Sequence, residues 1–247
     1  MPTIPYCGTP PLPGDVAWNL DPVLISALLL AGLAMPWRAR GAARLPAALL
    51  GWAVLALALV SPLCNLSVAL FSARVAQHML LTLLAAPLLA YGIWGTGGKV
   101  WRPGAPGAAF ALALWAWHLP GPYAASFAAD LTYWAMHATL FGAALWFWAA
   151  LCRGVVARPD AAALAALAIA VQMGLLGALL TLAPRPLFLS VHGPGITAPW
   201  GLSPLEDQQL GGLLMWVPGG LLFAAFAVAG LGLSLRAGAT PAARPAR

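Results

Sequence analysis

The chain has 247 residues, 62% of them hydrophobic and only 7% charged, against roughly a quarter charged in an ordinary soluble domain. Apolar runs of about the 20 residues needed to cross a bilayer recur along most of the length, which excludes a water-soluble enzyme and a singly anchored protein. The net charge of +6 comes from basic residues scattered between those runs, not gathered in a stripe, so it reads as membrane topology and nucleic acid is not an expected partner.

The fold class is therefore all-α, a polytopic membrane helix bundle within one integral membrane domain, 1–247. A short outer tail, 1–21, has no basic stretch ahead of its first apolar run, so no cleaved signal peptide is expected. Seven transmembrane helices are expected at about 22–36, 46–62, 71–93, 106–119, 127–151, 161–183 and 208–234, with Pro, Gly and charge as punctuation. The first and fourth are short. Pro87 lies inside the third and predicts a kink there. Residues 63–70 and 120–126 read as turns, and 235–247 as a cytoplasmic tail whose end, ATPAARPAR, is solvated.

Short loops rich in Lys and Arg stay in the cytoplasm. Arg38, Arg40, Arg44, Lys99, Arg102, Arg153, Arg158, Arg236, Arg244 and Arg247, ten of the twelve basic residues, all follow odd-numbered helices. The N-terminus is thus expected outside and the C-terminus inside, in the plasma membrane. Trp18, Trp37, Trp94, Trp101, Trp148 and Trp200 fall near predicted membrane boundaries, as interfacial aromatics should. Cys7, Cys64 and Cys152 are too few and too dispersed for a disulfide framework, and none forms a CxxC pair.

This topology sends all four histidines to the outer side. His78 and His137 lie within predicted helices three and five, where an ionisable ring is costly and usually faces the bundle interior with a partner. They can share one layer, and neutral imidazole is a common ligand for copper, zinc and iron. Met79 and Met136 are their sequence neighbours, but packing is the better reading for both. His118, at a helix end in WHLP, reads equally as an interfacial ring or a site residue. His192, in an exposed outer loop, is expected to make an ordinary hydrogen bond.

A second constellation is SPLEDQQLGGLLMW, 203–216. Ser203, Pro204 and Glu206 suit a helix start. Asp207 shares a face with Gly211 and Met215; it is a metal ligand or, preferably, a group that orients a histidine by accepting its N–H. Arg74, one turn before His78, is expected either to pair with Asp207 or to snorkel to the outer interface.

Four segments in this order, QHMLL with a following APLL at 77–89, WHLPG at 117–121, Met136-His137 before LWFW at 145–148, and DQQLGGLLMW at 207–216, resemble the polytopic CtaG family of cytochrome c oxidase assembly proteins. That family is distinct from the single-span copper carriers sharing the name. The resemblance runs over roughly 20–235 and implies seven spans and a part in making active haem-copper oxidase. It points to His78, His118, His137 and Asp207 as the matching polar positions. Arg74 and Tyr133 stand where relatives often carry further histidines, so the site here is altered or depleted.

Together these readings give an assembly factor that is not an enzyme, holding or passing copper at the outer face by ligand exchange. Its expected metal residues are His78, His137, His118 and Asp207. Its expected partners are cytochrome c oxidase subunits, the lipid bilayer and copper chaperones. The alternatives are a haem-binding electron-transfer protein with His78 and His137 as axial ligands, or a copper or small-solute permease.

Overall fold

The computed structural model describes residues 4–39, 41, 43–96 and 99–239. Arg40, Arg244, Arg247, the side chain of Arg236 and the tail end 240–247, on which part of the topology argument rests, lie outside the described residues. Among the described residues the chain is all-helical, with no strand.

Helix α1 runs Pro22–Arg38. Asp21 starts it, its carboxylate accepting from the Val23 and Leu24 amides at 2.7 and 2.9 Å, with Pro22 in the first turn where its missing N–H costs nothing. Helix α2, Leu45–Val60, meets α3, Pro62–Ala69, at Ser61-Pro62 with a bend of 48°. Proline cannot continue the helical ladder, and the Ser61 hydroxyl recaps the chain by accepting from Leu63. The stretch expected as a turn at 63–70 is thus mostly a short helix.

Leu70, in extended backbone, separates α3 from α4, Phe71–Trp94. This span changes winding at Leu80–Ala85, where it becomes a π-helix. Pro87 offers no amide to Leu83 and its ring excludes that carbonyl, so the expected disturbance is real and takes the form of a widened turn. Thr82 donates its hydroxyl to the His78 carbonyl at 2.7 Å, and the Trp148 indole donates to the Thr82 carbonyl at 2.8 Å. Trp148 is therefore a core residue stacked on Phe223, not the boundary aromatic expected from its position.

Helix α5 is Gly104–Trp117, α6 is Pro120–Ala128 and α7 is Asp130–Gly154. The expected turn at 120–126 is α6. Helix α8, Pro159–Leu182, is followed by a loop with the short α9, Pro194–Thr197, and by α10, Pro204–Ala239. The start of α10 is a reciprocal cap: the Ser203 hydroxyl accepts from Glu206, and the Glu206 carboxylate accepts from Ser203. By length and composition α4, α7, α8 and α10 can cross a membrane, the bent pair α2–α3 passes the same test together, and α1 and α5 are shorter apolar helices.

The DQQLGG segment is a packing hub. Gln208 donates to the Leu180 carbonyl at 3.0 Å and accepts from Leu187 at 2.6 Å, tying α10 to the end of α8 and the loop beyond. At Gly212 a Cβ would collide with Thr181 and with the Gly177 carbonyl of α8, and at Gly211 it would strike the Phe71 ring of α4. Two glycines thus let α10 close on two neighbours at once.

Cys7 and Cys64 form a disulfide, which pins the N-terminal tail to α3. Three cysteines too few and too dispersed for a framework thus still supply one bridge, between partners 57 residues apart in sequence. Cys152 is the free thiol. Denatured, unreduced protein should therefore take up one maleimide per chain and reduced protein three, read by mass spectrometry.

Candidate functional site

The first two turns of α4 carry Arg74, Gln77 and His78 on buried faces. What fixes that helix start is Asp207, from α10. Its carboxylate accepts from the Phe71 amide at 2.7 Å, the Ser72 amide at 3.0 Å and the Ser72 hydroxyl at 2.6 Å. A helix start lacks partners for its first amides and favours a negative charge, so Asp207 caps α4 from another helix. This replaces the expected Arg74–Asp207 pair. Among the described residues no hydrogen bond joins Asp207 to a histidine ring.

Three histidines do converge. His78 is fully buried, and its ring centre lies 5.4 Å from that of His137 on α7 and 5.9 Å from that of His118 at the end of α5. His118 Nδ1 is 2.7 Å from the Leu114 carbonyl and His137 Nδ1 is 3.1 Å from the Tyr133 carbonyl. A carbonyl only accepts, so these bonds place the proton on Nδ1 and the lone pair on Nε2 of both rings. His137 Nε2 and both nitrogens of His78 have no hydrogen-bond partner. Buried polar atoms without partners are costly, and here three of them sit on adjacent imidazoles.

The pairs His78–His137 and His78–His118 each fit a shared ion in spacing: with a metal–nitrogen bond of about 2 Å, two rings on one ion have centres no more than about 6 Å apart. Among the described residues no group of three or more His, Cys, Asp or Glu side chains is placed to hold a metal ion, so an ion shared by all three rings would require them to draw together. Met136 is fully buried beside His137 and Met79 is partly buried; both belong to the apolar core.

Aromatic rings roof the trio. Tyr133 packs on His137 with centres 4.2 Å apart, Tyr6 stacks on Tyr133 at 4.7 Å, and Trp134 stands 6.2 Å from His137. The Tyr133 hydroxyl lies 3.4 and 3.6 Å from the sulfurs of Cys7 and Cys64. Arg74 is buried, not snorkelling. Its guanidinium lies 4.4 Å from the centre of the Phe127 ring and 5.4 Å from that of Tyr133, and its Nε and Nη1 have no hydrogen-bond partner. Aromatic faces hold this charge in place of an acid. Gln77 donates to the Ala58 carbonyl at 2.8 Å, anchoring the same turn of α4 to α2.

His192 lies apart from the trio and makes the ordinary bonds expected of it, although it is buried and not exposed. Its Nδ1–H donates to the Ala69 carbonyl at 3.0 Å, and the Tyr123 hydroxyl donates to Nε2 at 2.7 Å. Burial pushes its pKa from 6.5 down to about 3. The unfolded chain therefore binds the extra proton first, and His192 costs the fold stability as pH falls from about 6.5 towards 3. The melting temperature of wild type should drop between pH 7 and pH 5 by more than that of His192→Gln.

A family model described as cytochrome c oxidase caa3 assembly factor (Caa3_CtaG) matches residues 28–236, which span α1 to α10 and all three rings. No curated protein and no solved structure matches the chain.

Proposed function

The chain belongs to the cytochrome c oxidase caa3 assembly factor family, and from that membership we propose that it serves oxidase assembly in the membrane by holding copper as cargo at His78, His118 and His137. The observation that carries this reading is the set of unpartnered nitrogens on His78 and His137, beside a third ring whose lone pair is likewise on Nε2. Imidazole donors suit copper, and neutral donors in an apolar layer add no negative charge. The cost of burying an ion rises steeply with its charge, and Arg74 adds a fixed positive charge nearby. Both effects favour monovalent copper over a divalent ion.

In this reading the chain performs ligand exchange and not catalytic turnover. The backbone carbonyls of Leu114 and Tyr133 hold the tautomers of His118 and His137, as outer partners do at metal sites. Asp207 acts at one remove, by fixing the helix start that presents His78. The topology belongs to the same proposal: seven membrane segments, counting α2–α3 as one and the shorter α1 and α5 as two, with the N-terminus outside. The Cys7–Cys64 disulfide supports an oxidising compartment at the end of the bundle where the histidines gather. A plasma-membrane location and copper chaperones as donors complete the proposal.

The test is complementation. In cells lacking this chain, the wild-type gene should restore the oxidase, read by its haem absorption and its turnover of reduced cytochrome c. His78→Leu, present at the same level, should not restore it, and added copper should partly compensate. Full restoration by His78→Leu without added copper would reject the histidine trio as the working site.

A further inference from the structure

The opposite end of the bundle holds a second feature. A cavity of about 200 Å³ opens where the loop before α5, the end of α7 and the start of α8 meet. Its walls include Trp101, Arg102 and Pro103 from the loop, Gly154 from α7, and Arg158 and Ala162 at the start of α8. Among the described residues no carboxylate lines it. The loop is held in place: Arg153 donates Nε–H to the Lys99 carbonyl at 2.9 Å and lays its guanidinium 5.0 Å from the Trp101 ring, which in turn packs 6.0 Å from Trp94. Arg102 and Arg158 are thus brought to one mouth from two separate elements.

Charge is distributed to match. Asp15, Asp21, Asp130, Glu206 and Asp207, five of the six acids, belong to the histidine end of the bundle, whereas Lys99, Arg102, Arg153 and Arg158 belong to this one, with Asp160 as the nearby acid. We propose that this cavity binds a phosphate group, and that its source is the headgroup of an anionic glycerophospholipid. Guanidinium forks match phosphate oxygens in a way that water-exposed lysines do not. The rest of the wall is apolar, as a glycerol backbone and the first acyl carbons require, and Trp101 supplies an aromatic of the kind enriched at headgroup depth. Basic pockets between helices at this depth are a recognised mode of lipid headgroup binding. The inference is independent of the copper reading.

Native mass spectrometry of the delipidated full-length protein, titrated with phosphatidylglycerol, phosphatidylcholine or inorganic phosphate, tests it. Phosphatidylglycerol should bind at least tenfold more tightly than phosphatidylcholine, and the Arg102→Gln/Arg158→Gln double variant should lose that preference. Both side chains are exposed, so the variant should fold normally. Arg38→Gln, at the same end but off the cavity, should keep the preference. Binding of inorganic phosphate without a preference for phosphatidylglycerol would retain the phosphate site and overturn the lipid as its source. Equal binding of both lipids with no phosphate binding, or a preference unchanged in the double variant, would overturn the proposal.

Discussion

Replacing Asp207 with alanine should destabilise the fold by about 3–5 kcal/mol, because a buried donor left without its partner costs about 1–3 kcal/mol and three donors lose theirs at once. The Phe71 amide, the Ser72 amide and the Ser72 hydroxyl all end on this carboxylate, which is fully buried between α4 and α10. Nothing else among the described hydrogen bonds satisfies those groups. Glu206, its neighbour, caps its own helix in contact with water, and Glu206→Ala should cost far less. Thermal unfolding of the two variants in the same detergent compares them. A melting temperature for Asp207→Ala as close to wild type as that of Glu206→Ala would show that the carboxylate does not hold α4 in place.

His78→Leu should have the opposite signature, with stability near that of wild type and copper retention at least tenfold lower. The ring has no hydrogen-bond partner to lose. Replacing it by an apolar side chain of similar size removes two unsatisfied nitrogens from the core, which offsets any imperfect packing. A histidine kept for stability would behave otherwise: its loss would lower the melting temperature and leave copper alone. His192 is the internal comparison, since both its nitrogens are bonded and it stands outside the trio. His192→Gln should therefore cost stability and spare copper.

The meeting of His78 with His137 was readable in the sequence because an ionisable ring within an apolar run has few places to go, and the rise along each helix put both rings at similar depth. His118 joins them because α5 ends at Trp117, so the histidine in the cap position turns inward instead of out to the interface. The start of α10 was also legible, since a capping box is a local pattern.

What sequence could not supply were the pairings made across the fold. Arg74 and Asp207 are the natural couple on charge alone, yet the helix start at Phe71 takes the carboxylate and aromatic rings take the guanidinium. Leu70, where the chain turns extended and exposes those amides, carries no sequence mark of a helix break. The disulfide was missed for a related reason, since spacing says nothing about two cysteines joined through a folded tail. Trp148 looked interfacial because a boundary drawn from hydropathy cannot see that the π-turn of α4 leaves a carbonyl for its indole.

Metal analysis of the purified protein under reducing conditions, beside His78→Ala and His137→Ala prepared identically, tests the central claim most directly. The account predicts near-stoichiometric copper in wild type and at least a tenfold loss in each variant, with zinc low in all three. Equal copper in the three proteins, or negligible copper in wild type, would contradict it.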